Sequence, residues 1–266
     1  MNPVLIAVIV LCAVGIVCAL MLVIAAKYMS VPVDEKFPAI RECLPGANCG
    51  ACGYAGCDGY ANALASGNEK KINKCVAGGH DVAKELSDVT GIPFEAVAEV
   101  NAFVRCQGTC LSTKKKAEFD GAKSCAAAKL VFGGDGACRF GCLGYGDCAA
   151  VCHEHAINII NGVAHINDYR CMGCGACTRT CPQGIIQILP KDIEIYPACS
   201  NHDKGASVMK VCSSGCIGCG LCAKKCPTGA ITMENNLPVI DHSKCVACGT
   251  CVDACPKHSI LKGNKV

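Results

Sequence analysis

The sequence predicts an α+β protein built from one N-terminal apolar helix, a small cysteine-rich domain and two tandem units that repeat each other. Three observations support this prediction. An uncharged run opens the chain, 28 of the 266 residues are cysteine, and the cysteine pattern after residue 124 recurs with an offset of 74 residues. The expected parts are 1–28 for the apolar helix, 29–90 for the cysteine-rich domain, 91–130 for a helical linker with extra cysteines, 131–195 for the first repeat unit and 196–266 for the second.

The uncharged run from Val4 to Ala26 is 23 residues long, which is enough for a helix to cross a bilayer. A cleaved signal peptide is the alternative, but no basic region precedes the run, and the run is longer than a typical signal core. Lys27, Lys36 and Arg41 follow it, so the positive-inside rule places the rest of the chain in the cytoplasm. We therefore expect a single-pass anchor in the cell membrane, with the other domains on the cytoplasmic side.

The second repeat unit contains the spacing Cys-x2-Cys-x2-Cys-x3-Cys-Pro twice. This is the ligand run of bacterial ferredoxins with two [4Fe–4S] clusters, in which the fourth cysteine of each run binds the other cluster. A zinc site is the alternative, but each run offers three close cysteines and one before proline, whereas zinc takes four together. The predicted ligands are Cys216, Cys219, Cys222 and Cys255 for one cluster, and Cys226, Cys245, Cys248 and Cys251 for the other.

The first repeat unit has the same cysteines except one, because Tyr145 stands where the second unit has Cys219. We expect Cys138 to supply the missing ligand. The alternative is a unit that holds one cluster only, or a [3Fe–4S] form. The predicted ligands are Cys138, Cys142, Cys148 and Cys181 for one cluster, and Cys152, Cys171, Cys174 and Cys177 for the other.

Two stretches of regular structure are predicted around these runs. Apolar and polar residues alternate around Asn161-Gly162 and Asn235-Asn236, which predicts a β-hairpin between the two runs of each unit. Before the repeat units, the segment from Asp81 to Val104 is predicted to form two helices, because apolar residues recur there at helical spacing. The break between them is expected at Gly91-Ile92-Pro93, where proline can begin the second helix.

The cysteine-rich domain has its own ligand spacing, Cys49-x2-Cys52-x4-Cys57, with Cys75 further along. Four thiolates make one complete [4Fe–4S] site, and the glycines at 50, 53 and 56 let backbone amides approach the cluster sulfurs. The alternative is a glycine-rich turn with inert buried cysteines. These residues, called the cysteine knot below, raise the expected number of clusters to at least five.

Six cysteines remain outside the apolar run and the five expected sites. We expect some of them to bind a sixth cluster, with buried structural thiols as an equal alternative. The predicted ligands are Cys106, Cys110, Cys125 and one of Cys199 or Cys212, with Cys199 preferred.

Charge and motifs exclude several other functions. The net charge of +3 does not predict binding to nucleic acid. The chain has no phosphate-cradling loop, no nucleophile elbow and no acid–base pair, so no catalytic residue is predicted. The basic run Lys114-Lys115-Lys116 is either a solvated loop or a docking site for an acidic electron carrier.

An apolar anchor, the cysteine knot and ferredoxin runs in this order resemble the B subunits of the Rnf complex, a membrane-bound ferredoxin:NAD⁺ oxidoreductase that translocates Na⁺ or H⁺. The resemblance covers essentially the whole chain and is to the longer, cysteine-rich form of clostridial and other anaerobic bacteria. It implies that the chain accepts electrons from soluble reduced ferredoxin. It also implies that partner subunits, which carry flavins and further clusters and lie in the membrane, receive those electrons and reduce NAD⁺.

Two other readings compete with this resemblance. The first alternative function is a polyferredoxin that conducts electrons within a membrane hydrogenase or formate dehydrogenase. Such subunits are usually built from ferredoxin runs alone, and this chain also has the cysteine knot. A corrinoid-linked protein with a similar knot is the second, but a long cobalamin-binding domain is absent from the sequence. The tandem second unit departs from the shorter form of the Rnf family, so the sequence leaves open which cluster receives electrons.

Overall fold

The computed structural model describes residues 3–28, 36–93 and 99–263. Helix α1 spans Pro3–Tyr28. The side chains described in it, at 12–24, are all exposed, and they include Ile16, Leu20 and Leu22. Within the described residues, no helix combines the length and the apolarity of a membrane span.

The cysteine-rich domain is a small helical body. It comprises α2 (Phe37–Cys43), α3 (Cys57–Ala65), a 3₁₀ turn (Ile72–Lys74) and α4 (Gly79–Thr90). Its core contains Ile40, Tyr60 and Leu86, all almost fully buried, and the Tyr60 hydroxyl donates to the Lys71 carbonyl at 2.7 Å. Helix α4 ends where the sequence predicts, because Gly91 adopts a left-handed φ of 73° and donates to the Ser87 carbonyl at 2.8 Å.

Each repeat unit contains two two-stranded antiparallel sheets. The first unit has β2 (Ile157–Ile160) with β3 (Val163–Ile166), and β1 (Val100–Val104) with β4 (Ile186–Pro190). The second has β6 (Ile231–Glu234) with β7 (Leu237–Ile240), and β5 (Ile195–Pro197) with β8 (Ile260–Lys262). Short helices carry the remaining cysteine loops: α5 (Cys125–Leu130), α6 (Asp147–Ala150), α7 (Ala176–Thr180), α8 (Gly205–Val211), α9 (Leu221–Lys225) and α10 (Thr250–Asp253).

The hairpins β2–β3 and β6–β7 form at the predicted turns. Asn161 and Gly162 have φ of 50° and 80°, and Asn235 and Asn236 have φ of 47° and 64°. Positive φ at both central residues is what a tight two-residue hairpin requires, and asparagine and glycine adopt it most readily. The two hairpins also share their register, Ile157 pairing with Ile166 and Ile231 with Ile240.

The structure differs from the sequence prediction at the second helix of the linker. Val100–Val104 is strand β1, paired with β4 through Val104 and Ile186, while Phe94 and Val97 lie outside the described residues. The helix prediction is wrong for this segment because pairing with a distant strand overrides a weak local periodicity. The first unit therefore uses residues before 131, and the described part of the linker is not mainly helical.

Aromatic packing joins the two repeat units. Phe103 of β1 and Tyr196 of β5 are both almost fully buried, with ring centroids 4.8 Å apart and planes inclined at 60°. A hydrogen bond also joins the units, because the Thr113 hydroxyl donates to the Val211 carbonyl at 2.7 Å. An aromatic contact and a hydrogen bond thus pack one unit against the other.

Candidate iron–sulfur centres

In the second unit, the two ferredoxin runs fold back on each other as the spacing predicts. A cavity of about 340 Å³ is lined by Cys216, Cys219, Cys222 and Cys255. The other four cysteines of the runs also lie near one another. Burial, followed by the nearby thiols of Cys245, Cys222 and Cys226, raises the pKa of Cys251 to about 11. Such thiols are protonated when metal-free and release protons on binding metal.

In the first unit, the structure brings Cys125, and not Cys138, to the incomplete run. A cavity of about 370 Å³ is lined by Cys125, Cys142, Cys148 and Cys181. Helix α5 presents Cys125 at its N-terminus, where the Asp147 carboxylate accepts hydrogen bonds from the backbone N–H groups of Cys125 at 2.8 Å and Ala126 at 3.0 Å. We therefore assign Cys125 to this site in place of the predicted Cys138.

Tyr145, which replaces a ligand, is directed away from this cavity. Its hydroxyl donates to Asp135 at 2.9 Å, its ring meets the edge of Phe119 at 5.8 Å, and Lys115 lies 5.5 Å from the ring centre. Asp135 is almost fully buried and also pairs with Lys115 at 2.7 Å. The substituted position has thus become part of a polar and aromatic cluster, and α5 supplies the thiol from the other side.

The other site of the first unit adjoins the cysteine knot. A cavity of about 480 Å³ is lined by Cys152, Cys171, Cys174 and Cys177, and also by Cys49. The Arg179 guanidinium donates to the Cys49 carbonyl at 3.2 Å, which ties the two domains together. Gly173 at this site has a φ of 68°, and a Cβ there would lie 2.3 Å from the Val100 carbonyl oxygen, so the cluster loop passes directly over β1.

The knot cysteines surround the N-terminal end of α3. The Asn48 side chain accepts from the Cys57 backbone N–H at 2.9 Å and so fixes the start of that helix. Burial raises the pKa of Cys75, with further contributions from Cys57, Cys49 and Cys52, so the four thiols are close neighbours. That these four thiols hold one cluster stays a prediction.

The donor sets fit [4Fe–4S] clusters in number, chemistry and surroundings. Four thiols of one set line each of the three cavities, and backbone N–H groups donate to sulfur, from Ala156 to Cys152 and from Ser259 to Cys255, both at 3.3 Å. Such N–H···S bonds orient and stabilise cluster thiolates. Over the described residues, no group of three or more cysteine, histidine or acidic side chains is arranged to hold a single metal ion.

The predicted group of Cys106, Cys110, Cys125 and Cys199 is not assembled. Cys110 is exposed, and Cys125 belongs to the first unit's cavity. Instead, Cys106 and Cys199 line a cavity with Cys138 and Cys212. The sequence signal that could have indicated this is the pairing of Cys138 with Cys212 across the 74-residue repeat.

Models of protein families match two parts of the chain. Residues 44–77 match a model described as a putative Fe-S cluster, and residues 170–230 and 215–259 match the 4Fe-4S dicluster domain. The first dicluster match crosses the expected boundary between the units at 195. The chain is therefore an iron–sulfur protein with a knot-type domain and [4Fe–4S] dicluster domains.

Three relatives narrow this class to one family. The chain is 40% identical, over 92% of its length and 73% of the relative, to the B subunit of the Na(+)-translocating ferredoxin:NAD(+) oxidoreductase complex of Acetobacterium woodii. It is 40% identical, over 91% of its length and 86% of the relative, to the B subunit of the proton-translocating complex of Clostridium ljungdahlii. The B subunit of an ion-translocating oxidoreductase complex of Methanosarcina acetivorans is 36% identical over 88% of this chain and 89% of the relative. The chain belongs to the B-subunit family of Rnf complexes, as its sequence motifs indicate.

Proposed function

We propose that this chain is the subunit that accepts electrons from reduced ferredoxin and relays them inside an Rnf-type complex of the cytoplasmic membrane. Bound [4Fe–4S] clusters would supply one-electron transfer. The chain itself holds the thiolates, shields most of them from water and donates hydrogen bonds to sulfur. The observation that carries the proposal is the adjacency of the sites. Cys49 of the knot lies in the wall of the first unit's cavity, and the junction of Phe103 with Tyr196 sets the second unit against the first.

We infer that electrons arrive at the second unit. Cys219 and Cys248 of this unit are exposed, whereas every other cysteine of the five sites is buried or half-buried. Exposure of a ligand shortens the distance to a docked carrier. Lys224 and Lys225 are exposed on α9 of the same unit, and the first unit has Ala150 and Val151 at the equivalent positions. A positive patch beside an exposed cluster favours encounter with an acidic ferredoxin.

The basic run at 114–116, considered as a docking site from the sequence, is a weaker candidate. Lys115 is paired with the buried Asp135, and the Lys116 ammonium donates to the Phe132 carbonyl at 2.8 Å. Two of its three charges are therefore engaged within the chain. The second unit remains the better docking surface.

We further propose that α1 is the single-pass anchor and that the knot lies nearest the membrane partners. The support is the uncharged run from Val4 to Ala26 in the sequence, the exposed apolar side chains described in α1, and the basic residues that follow it. The flavin- and cluster-bearing subunits would then take electrons from the knot end of the chain. Which ion moves is a property of those subunits.

A rapid-mixing experiment tests the function. The full-length, cluster-loaded chain is mixed anaerobically with reduced ferredoxin, and its bleaching is followed. We expect Lys224→Glu/Lys225→Glu to slow reduction about tenfold at low salt, with the difference shrinking as ionic strength rises, since salt screens steering. Two Lys→Glu changes at Lys70 and Lys84, which are exposed on the cysteine-rich domain, are the control. A chain that ferredoxin does not reduce would refute the function, and equal rates in both variants would refute the docking surface alone.

A further inference from the structure

We propose that Cys106, Cys138, Cys199 and Cys212 bind a sixth [4Fe–4S] cluster in the cavity between the two repeat units. This cavity has a volume of about 470 Å³, within the range of the cavities at the ferredoxin runs, which measure about 340 to 480 Å³. The site needs no particular electron donor, so it does not depend on ferredoxin being the partner of this chain.

The two units contribute to this cavity in the same way. Cys106 lies two residues after β1, and Cys199 lies two residues after β5. One residue separates each strand from its cysteine, and the backbone N–H of that residue donates to a carbonyl at the same place in each repeat. The Arg105 N–H donates to the Ile185 carbonyl at 2.8 Å, and the Ala198 N–H donates to the Ser259 carbonyl at 2.7 Å. Cys138 and Cys212 are already equivalent by the 74-residue offset. The four thiols are therefore two symmetry-related pairs, as expected for a shared ligand placed between two similar units.

Hydrogen bonds to sulfur follow the same symmetry. The Cys106 sulfur accepts from the Cys142 backbone N–H at 3.3 Å, and the Cys199 sulfur accepts from the Cys216 backbone N–H at 3.3 Å. The Asn201 side-chain amide, which is almost fully buried, donates to the Cys138 sulfur at 3.4 Å. Thiols are weak acceptors, so this number of donors suits thiolates that carry negative charge.

A half-buried arginine with a buried Nε atom completes the wall of the cavity. Arg105 lines the cavity, donates to the Cys199 carbonyl at 3.3 Å, and has a buried Nε with no hydrogen-bond partner. A buried guanidinium nitrogen is costly unless an anion compensates it. A [4Fe–4S] core bound by four thiolates has a net negative charge, whereas four neutral thiols would leave the guanidinium without compensation.

The cavity also has an open approach that a single side chain could fill. A Cβ placed on Gly108 would lie 3.5 Å from the Cys106 sulfur and 3.7 Å from the Cys212 sulfur, and the backbone there does not require a left-handed conformation. Replacement of Gly108 by leucine would thus occupy the space of the cluster while all four thiols remain.

Metal analysis of the anaerobically purified, full-length protein tests the proposal. At four irons per cluster, we expect about 24 iron atoms per chain in the wild type and about 20 in Cys106→Ala, Cys199→Ala and Gly108→Leu. Cys110→Ala, at an exposed cysteine outside the cavity, is the matched control and should keep about 24. Electron paramagnetic resonance of the reduced samples should show one cluster signal fewer in the three variants, with the other signals unchanged.

Three results would overturn the proposal. The first is a wild type with about 20 irons and no change in any variant, which means that the four residues are structural thiols. The second is one zinc per chain that disappears in the same variants, because four thiolates also suit zinc. The third is retention of 24 irons in Gly108→Leu. If a cysteine variant fails to fold, Gly108→Leu and the wild-type count still decide.

Discussion

The junction between the repeat units should depend on Phe103. Phe103→Ala removes a side chain that is almost fully buried against Tyr196, Ala198 and the strands on either side. Because these contacts join the two units, their loss should loosen both β1 and β5, including the residues that lead to Cys106 and Cys199.

The expected magnitude follows from the burial of the ring. Phenylalanine-to-alanine changes in a packed core cost about 3–5 kcal/mol. An aromatic pair at this separation accounts for about 0.5–1.5 kcal/mol of that sum. Phe103→Leu keeps most of the volume and should cost less than about 1.5 kcal/mol. With each 1.4 kcal/mol worth about a factor of ten, local opening of the junction should become at least about 100-fold more frequent in Phe103→Ala.

Hydrogen exchange of the cluster-loaded protein measures this opening directly. The N–H groups of Arg105 and Ala198, one in each unit, should exchange faster together. The N–H of Gly91, bonded to Ser87 in the separate cysteine-rich domain, is the internal control and should not change. Faster exchange at Arg105 with Ala198 unaffected would refute the argument, since it would mean that the ring stabilises its own strand only.

Three further predictions concern the first unit and the anchor. Asp147→Ala removes the hydrogen-bond acceptor at the start of α5 and should lower the free energy of unfolding by about 1–2 kcal/mol. Iron should then leave the first unit faster when a chelator is added. Asp253→Ala on α10 is the control and should not change the rate of iron release from the first unit. Cys125→Ala should lose one cluster, whereas Cys110→Ala, at an exposed cysteine, should lose none; an unchanged iron content in Cys125→Ala would contradict the assignment of Cys125. Deletion of residues 1–28 should leave the iron content unchanged and abolish membrane attachment, and full retention in membranes without partner subunits would contradict the single anchor.

Local patterns predicted most of the sites, because a ferredoxin run brings three ligands together within a few residues. The hairpins followed for the same reason, since Asn161 and Gly162 specify a tight turn without help from distant residues. These features depend on the spacing of cysteines and on local backbone preferences, and neighbouring residues determine both.

The choice between Cys125 and Cys138 could not be made in this way. Both precede Cys142, and both have a counterpart in the second unit. The decision depends on Asp147, which holds the start of α5, and on β1, whose partner β4 lies far along the chain. Strand β1 was itself mistaken for a helix, so the position of Cys106 was not accessible from the sequence. Spacing in the sequence therefore groups the thiols of a short run correctly, and it misses thiols that non-local strand pairing brings together.

The spacing of the four cysteines at the junction has a consequence for how the protein is made. The knot and the first unit have all their thiols once the ribosome has passed Cys181, but the shared cavity also requires Cys199 and Cys212. Cys212 is synthesised roughly a hundred residues after Cys106, which takes about 5–20 s at ordinary rates of synthesis. During that interval the thiol of Cys106 is open to oxidation and to wrong partners. The Cys106 thiol must therefore stay reduced during that interval, and the junction site is completed after the first unit but before Cys255 completes the second.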